Sequence, residues 1–335
     1  MRIVFMGTPE TAVPTLRRCV EDGREVVAVW TQPDKPAGRG NRLAAPPVKE
    51  YALSVGLPVF QPAKIKTEET LALMSSFAAD VCVVVAYGRI LPPALLRATR
   101  RGFINVHFSL LPKYRGAAPV NWAIVRGEQE TGVTTMLIDE GLDTGPMLLQ
   151  RETAIGETET APELLARLAA SGAELLSETL ARLDELEPRA QREEDATHAP
   201  MLRREDGRIV WAEDARSIER RVRGFQPWPN AYAEYESKRL VIWRAEVLEH
   251  TETLERRESS VNGSQEDGAE RGDSFTSGDG FEAGVIVEAH GERLVVACGE
   301  RSFLRLHEVQ LEGKRRMSAR DFLNGTHARA GSRLG

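Results

Sequence analysis

Three polar residues, Asn105, His107 and Asp143, have the types and spacing that suit acyl chemistry. Asn105 and His107 alternate along Gly102-Phe103-Ile104-Asn105-Val106-His107, so on a strand both leave from one face while Ile104 and Val106 leave from the other. An amide and an imidazolium side by side can donate hydrogen bonds to an oxyanion. Asp143, in the Gly-punctuated stretch Asp139-Glu140-Gly141-Leu142-Asp143-Thr144-Gly145, can supply a carboxylate that orients the imidazole and favours its charged form. Together they suit transfer of an acyl group to an amine through a tetrahedral intermediate. Two of them also have a plainer reading, His107 as a hydrogen-bonded structural residue and Asp143 as a turn former. Ser109 offers a Ser-His hydrolase as a rival, although the Gly-x-Ser-x-Gly elbow that would strain and expose it is missing.

Positioning these groups calls for a scaffold, and the first 155 residues describe one. Arg2–Met6, Glu25–Gln32, Asp80–Tyr87, Gly102–His107 and Thr131–Asp139 read as strands separated by helical patterns. Such runs predict a doubly wound, Rossmann-like α/β domain built on a parallel sheet, in which ligands bind beyond the carboxyl ends of the strands. Gly7-Thr8-Pro9 follows the first strand without the G-x-G-x-x-G pattern, which argues against a dinucleotide, and no phosphate-binding G-x-x-x-x-G-K-[ST] loop occurs elsewhere.

A helix is predicted from about Pro162 to Leu186, closing a domain of residues 1–186, and a polar linker follows at 187–203. Residues 204–335 carry short β-like runs at Ile209–Trp211, Ala231–Tyr235, Leu240–Val247, Gly284–Glu288, Arg293–Cys298 and Phe303–Leu311, the pattern of a small OB-like antiparallel barrel. Residues 249–282 hold ten Asp and Glu against three Arg and almost no aliphatics, and are expected to be a disordered acidic insertion. That segment carries more than the whole net charge of −6, leaving the barrel region basic, which hints at a polyanionic partner. Cys19, Cys82 and Cys298 lie far apart without metal-site spacing, so no disulfide framework and no metal are expected. With no long apolar run and no signal-peptide profile, a cytoplasmic protein without membrane contact is expected, and separately a monomer.

Asn105-Val106-His107 with Ser109-Leu110-Leu111-Pro112 and Tyr114-Arg115-Gly116-Ala117-Ala118-Pro119 resembles the signature of the 10-formyltetrahydrofolate-dependent formyltransferase family, with Asp143 matching its catalytic aspartate. Gly7-Thr8-Pro9, Thr31 to Gly40, Val84 to Pro92 and Phe225 to Ala231 narrow the resemblance to members acting on methionyl-tRNA. The resemblance implies formylation of the α-amino group of methionyl initiator tRNA by a folate-binding α/β domain joined to a tRNA-binding barrel. It implies Asn105, His107 and Asp143 as the catalytic set and Ser109, Leu110, Leu111 and Pro112 along the folate pocket. Arg89, Ile90, Leu91 and the backbone from Ile138 to Leu142 would lie near the pterin. The loop from Pro33 to Pro47, with Arg39 and Arg42, would contact the acceptor stem. Phe108 stands where relatives carry a small residue, so its ring must point away from the pocket or reshape it. A sister enzyme formylating an amino sugar or a purine precursor would share the catalytic set, and a non-catalytic RNA-binding module would need only the barrel.

Overall fold

The computed structural model describes residues 1–37, 42–248 and 281–335. They divide into two compact units, Met1–Ala123 with Glu128–Met201, and Ile124–Gly127 with Leu202–Gly335. Arg39 and nearly all of the predicted acidic insertion lie outside the described residues.

The first unit is built on seven strands, β1 (Arg2–Gly7), β2 (Glu25–Trp30), β3 (Val59–Phe60), β4 (Val81–Val85), β5 (Phe103–His107), β6 (Glu130–Leu137) and β7 (Met147–Ala154), in the spatial order β7-β6-β5-β4-β1-β2-β3. β1 to β5 are mutually parallel, and the order reverses between β1 and β4. Ile3, Val4, Phe5, Met6 and all of β4 are buried because both faces of the sheet are covered. One face carries Val4, Met6, Trp30, Cys82, Val84 and Phe103 in a single apolar cluster. The other packs α1 (Val13–Glu21) and α2 (Ala161–Ala181). α2 starts where Thr160 and Glu163 form a reciprocal capping box, and its buried face is Leu164, Leu168, Leu175, Leu176 and Leu180.

Two features depart from a purely parallel sheet. β6 runs antiparallel to β5, and β7, not foreseen from the sequence, pairs antiparallel with β6. Strand direction follows from how the connection returns to the sheet, and residue periodicity carries no record of that.

In the second unit β8 (Ala231–Tyr235), β9 (Lys238–Leu248), β10 (Ile286–His290), β11 (Arg293–Ala297) and β12 (Phe303–Leu311) form an antiparallel sheet in the order β8-β9-β12-β11-β10, with β13 (Met317–Ser318) beside β12. The C-terminal tail closes it. The Ser332 carbonyl accepts from Ile286 N and Leu334 N donates to the Gly284 carbonyl, while Gly335 and Glu234 bond reciprocally at 2.8 and 2.9 Å, so the two edge strands are bridged. Ile209–Trp211 forms no strand, and α3 (Ala215–Gly224), capped by Asp214, and α4 (Ala319–Thr326), capped by Ser318, are helices the sequence reading omitted. In α3 the buried face is Ala215, Ile218 and Val222, spaced at i, i+3 and i+7 among many arginines, a helical period that the sequence reading passed over.

Among the described residues no helix is long and apolar enough to cross a membrane, and no group of three or more His, Cys, Asp or Glu could hold a metal ion. The three cysteines are free and buried, and burial pushes the Cys19 and Cys298 thiols up to about 12.

Candidate active site

The carboxyl ends of β1, β2 and β4 are laced together by short polar side chains. Thr8 Oγ1 donates to the Tyr87 carbonyl at 3.1 Å, and Gln32 Nε2 donates to the Tyr87 and Gly88 carbonyls at 3.0 and 3.2 Å. Gly7-Thr8-Pro9 thus serves as the turn into the first helix and as a tie between strand ends.

Beside this edge, β5 delivers Asn105 and His107 to one face. Val106 and Phe108 turn the other way, toward α2: a Cβ on Gly172 would lie 2.8 Å from Val106 and 3.5 Å from the Phe108 ring. Phe108 is 8% exposed and points away from the polar face, against α2, while it is Val106, at 2.8 Å, that leaves no room for a side chain at Gly172. The Asn105 amide is half-buried and makes no hydrogen bond to the described residues.

His107 is buried, and its Nε2 lies 3.0 Å from the Tyr114 carbonyl. A carbonyl can only accept, so Nε2 carries the hydrogen and Nδ1 is the nitrogen left to gain or share a proton. Nδ1 faces Asp143 Oδ2 at 3.7 Å, close enough for charge to be felt and too long for a hydrogen bond. Asp143 reaches it by an indirect route. Its loop joins β6 to β7, and Leu137 at the loop's start pairs opposite Ile104, so the chain must fold back along β5 to bring the carboxylate to His107.

Several bonds hold that loop. Asp139 Oδ1 accepts from Gly141 N at 3.0 Å and from Thr144 Oγ1 at 2.7 Å. Gly116 N donates to Asp143 Oδ2 at 2.9 Å, and Gln191 Nε2 donates to the Asp143 and Gly145 carbonyls, each at 2.8 Å. Asp143 itself sits at φ +55°, a left-handed conformation that Asp and Asn adopt more readily than most residues. Two glycines are steric necessities here. At Gly116, φ +121°, a Cβ would approach the Ala199 carbonyl to 2.5 Å, and at Gly145 it would collide with the Leu137 carbonyl.

The turn after His107 is anchored from β6. Thr134 Oγ1 donates to the Ser109 carbonyl at 2.7 Å and accepts from Leu111 N at 3.1 Å, while Gln150 Nε2 donates to the Leu111 carbonyl at 2.8 Å. Ser109 is fully buried with its hydroxyl donated to the Lys113 carbonyl at 2.6 Å, which leaves it without the exposure a nucleophile needs. Leu111 is buried against Met136 and Met147, Leu110 packs over Gly132, and a cis peptide links Leu111 to Pro112. On the other flank Arg89 donates to the Pro62 and Ala63 carbonyls at 3.1 and 2.9 Å, and Leu91 belongs to the core. Ile90 and Leu142 are large apolar side chains left 77% and 61% exposed.

The Pro33–Pro47 segment is tied at its root. Lys49 Nζ holds Asp34 at 2.7 Å, Gln61 Nε2 donates to Asp34 at 2.8 Å, and these hydrogen bonds, that from Lys49 foremost, hold the Asp34 carboxyl below its ordinary range. Lys35–Ala37 pairs antiparallel with Arg42–Ala44.

The sequence reading did not foresee Gln191, Tyr114, Gly116 or Thr134 as partners of the site. Gln191 falls in a polar stretch indistinguishable from a linker, and the Tyr114 and Gly116 contributions are backbone groups that leave no side-chain signal.

Comparison with known proteins gives this arrangement its context. The formyl transferase model matches residues 1–180, and the formyl transferase C-terminal domain model matches residues 201–327. The chain belongs to the formyl transferase family. It is 47% identical over 337 residues to the methionyl-tRNA formyltransferase of Caldanaerobacter subterraneus subsp. tengcongensis, an alignment covering 100% of both chains. Likeness to that of Acidobacterium capsulatum is 47% over 338 residues, again with 100% of both covered. Among solved structures, the N-formyltransferase from Helicobacter canadensis in complex with folinic acid and dTDP-3-aminofucose superposes with a TM-score of 0.62 at 16% identity, covering 91% of this chain and 98% of that one. HypX from Aquifex aeolicus in complex with tetrahydrofolic acid gives 0.59 at 15% identity, covering 96% of this chain and 47% of that one. At those identities the likeness is one of fold. Within this formyl transferase, Asn105 and His107 share one face of β5 and Asp143 comes to 3.7 Å from His107, beside the carboxyl ends of the parallel strands, where open α/β sheets bind their ligands.

Proposed function

We propose that this formyl transferase moves the formyl group of 10-formyltetrahydrofolate to the α-amino group of methionyl initiator tRNA. The observation that carries this reading is the identity of about 47% to methionyl-tRNA formyltransferases through both domains and the whole length.

In the proposed reaction the amine attacks the formyl carbon, the carbonyl oxygen becomes an oxyanion, and the bond from carbon to N10 of the folate breaks. N10 gains a proton as the amine loses one, giving formyl-methionyl-tRNA and tetrahydrofolate. The unpartnered Asn105 amide donates to the oxyanion. His107 in its charged form donates from Nδ1, with Asp143 at 3.7 Å balancing the charge. Ser109, Leu110, Leu111 and Pro112 form the wall that follows His107, and Ile90, between Arg89 and Leu91 in the chain, and Leu142 are exposed apolar side chains that a pterin ring would cover. Arg39 and Arg42 are assigned to tRNA, as is the basic second domain. The enzyme is proposed to act as a cytoplasmic monomer.

The test is formyl transfer from 10-formyltetrahydrofolate to methionyl-tRNA against transfer to an amino-sugar nucleotide and to a purine-precursor amine. Turnover confined to methionyl-tRNA is expected. Preference for a small amine would replace the substrate assignment, and absence of any transfer would favour a non-catalytic RNA-binding module.

A further inference from the structure

Gln191 uses its whole amide at the site. Both bonds from Nε2, to the Asp143 and Gly145 carbonyls, are 2.8 Å long, and Oε1 accepts from Arg115 Nε at 3.0 Å. Arg115 is only 2% exposed, reaches Glu193 at 2.8 Å through Nη1, and precedes Gly116, whose N–H holds the Asp143 carboxylate at 2.9 Å. One side chain therefore pins the Asp143 backbone from one direction and supports the segment that grips its carboxylate from the other. The arrangement extends along the chain: His198–Ala199 pairs with Arg115–Gly116, and Thr197 Oγ1 accepts from Tyr114 N at 2.9 Å, beside the carbonyl that faces His107 Nε2.

We propose that Gln191 is a positioning residue for Asp143, and that the polar stretch after α2 is part of the catalytic apparatus. This rests on Asp143 being catalytic. Among the described residues the hydrogen bonds on the left-handed Asp143 come from Gly116 N and Gln191 Nε2, and the 3.7 Å to His107 is too long to add a bond that would correct a drift. A shift of the order of 1 Å in such a group can cost about a hundredfold in rate.

Gln191→Glu keeps an acceptor for Arg115 and removes both donors to the loop; Gln191→Met removes all three bonds at similar length. Both are measured with 10-formyltetrahydrofolate and methionyl-tRNA, in the wild-type chain and with Asp143→Asn. The expected result is a kcat lowered by roughly tenfold to a hundredfold with each KM within about twofold, shrinking to less than about twofold when Asp143→Asn is already present, because the two residues act as one unit. Equal fold losses in both backgrounds, a raised KM at unchanged kcat, or unfolding of both variants at the assay temperature would overturn the positioning role. Asp143→Asn alone with wild-type turnover would instead remove the catalytic assignment on which the role rests.

Discussion

The loop from Asp139 to Gly145 and the segment from Pro33 to Pro47 are both Gly- or Pro-rich excursions from strands of one sheet, yet they are secured in opposite ways. The first is held along its length, by Asp139 within the loop and by Gly116 and Gln191 from outside. The described side-chain ties of the second gather at its root, on Asp34, Lys49 and Gln61, while Leu43 further along is 71% exposed. The difference matches the tasks proposed for them. A carboxylate acting on an imidazole must keep its distance to within a fraction of an ångström, whereas a segment that meets a large polyanion needs a fixed base and an accessible surface.

The strongest way to break the comparison is at the chemistry. Asn105→Ala and His107→Ala should each lower kcat on the order of a hundredfold or more, the usual cost of losing an oxyanion donor, with circular dichroism unchanged. A folded variant with near-normal turnover would detach the site from the reaction. Asp143→Asn comes next. Asn tolerates the same left-handed backbone, so the substitution isolates the charge, and kcat should fall by about tenfold or more while folate KM holds. If folate KM alone rose, Asp143 would be a binding residue.

Gly145→Ala tests whether the loop's placement matters apart from its chemistry, because the added Cβ meets the Leu137 carbonyl, a backbone atom with little room to yield. A stability loss of about 1–3 kcal/mol in denaturant titration is expected, together with a lower kcat. Full activity would mean the loop tolerates displacement. The smallest effects belong to the other segment. Arg39→Ala should raise KM for tRNA several-fold and leave folate titration unchanged, in keeping with an electrostatic contact to phosphate. At its root Asp34 titrates below its ordinary value of 3.8, so its clamp is complete above that pH and is lost only as pH falls through the lowered value. An ordinary midpoint for the Asp34 carboxyl, followed by NMR, would show the root to be untied.

Much of this was legible in the residues. The strands Arg2–Gly7, Glu25–Trp30, Val81–Val85 and Phe103–His107 announce themselves as apolar runs because both faces of a parallel sheet are buried, and alternation alone puts Asn105 and His107 on one face. α2 was readable from its run of leucines and alanines, although the expected end near Leu186 lies past its observed end at Ala181. Local chemistry determines such features: propensity, period and caps act over a few residues and are written in consecutive letters. What only the tertiary structure decided involves partners far apart in the chain. Asp143 meets His107 because β6 runs antiparallel and its loop folds back, Phe108 is harmless because it turns toward α2, and Gln191 reaches the loop from 48 residues away. The closure of the second domain by Gly335 on Glu234 is of the same kind. Each of these contacts joins groups distant in the chain, and several end on backbone atoms that any residue can supply, so consecutive letters hold no distinctive mark of them until the fold brings the pieces together.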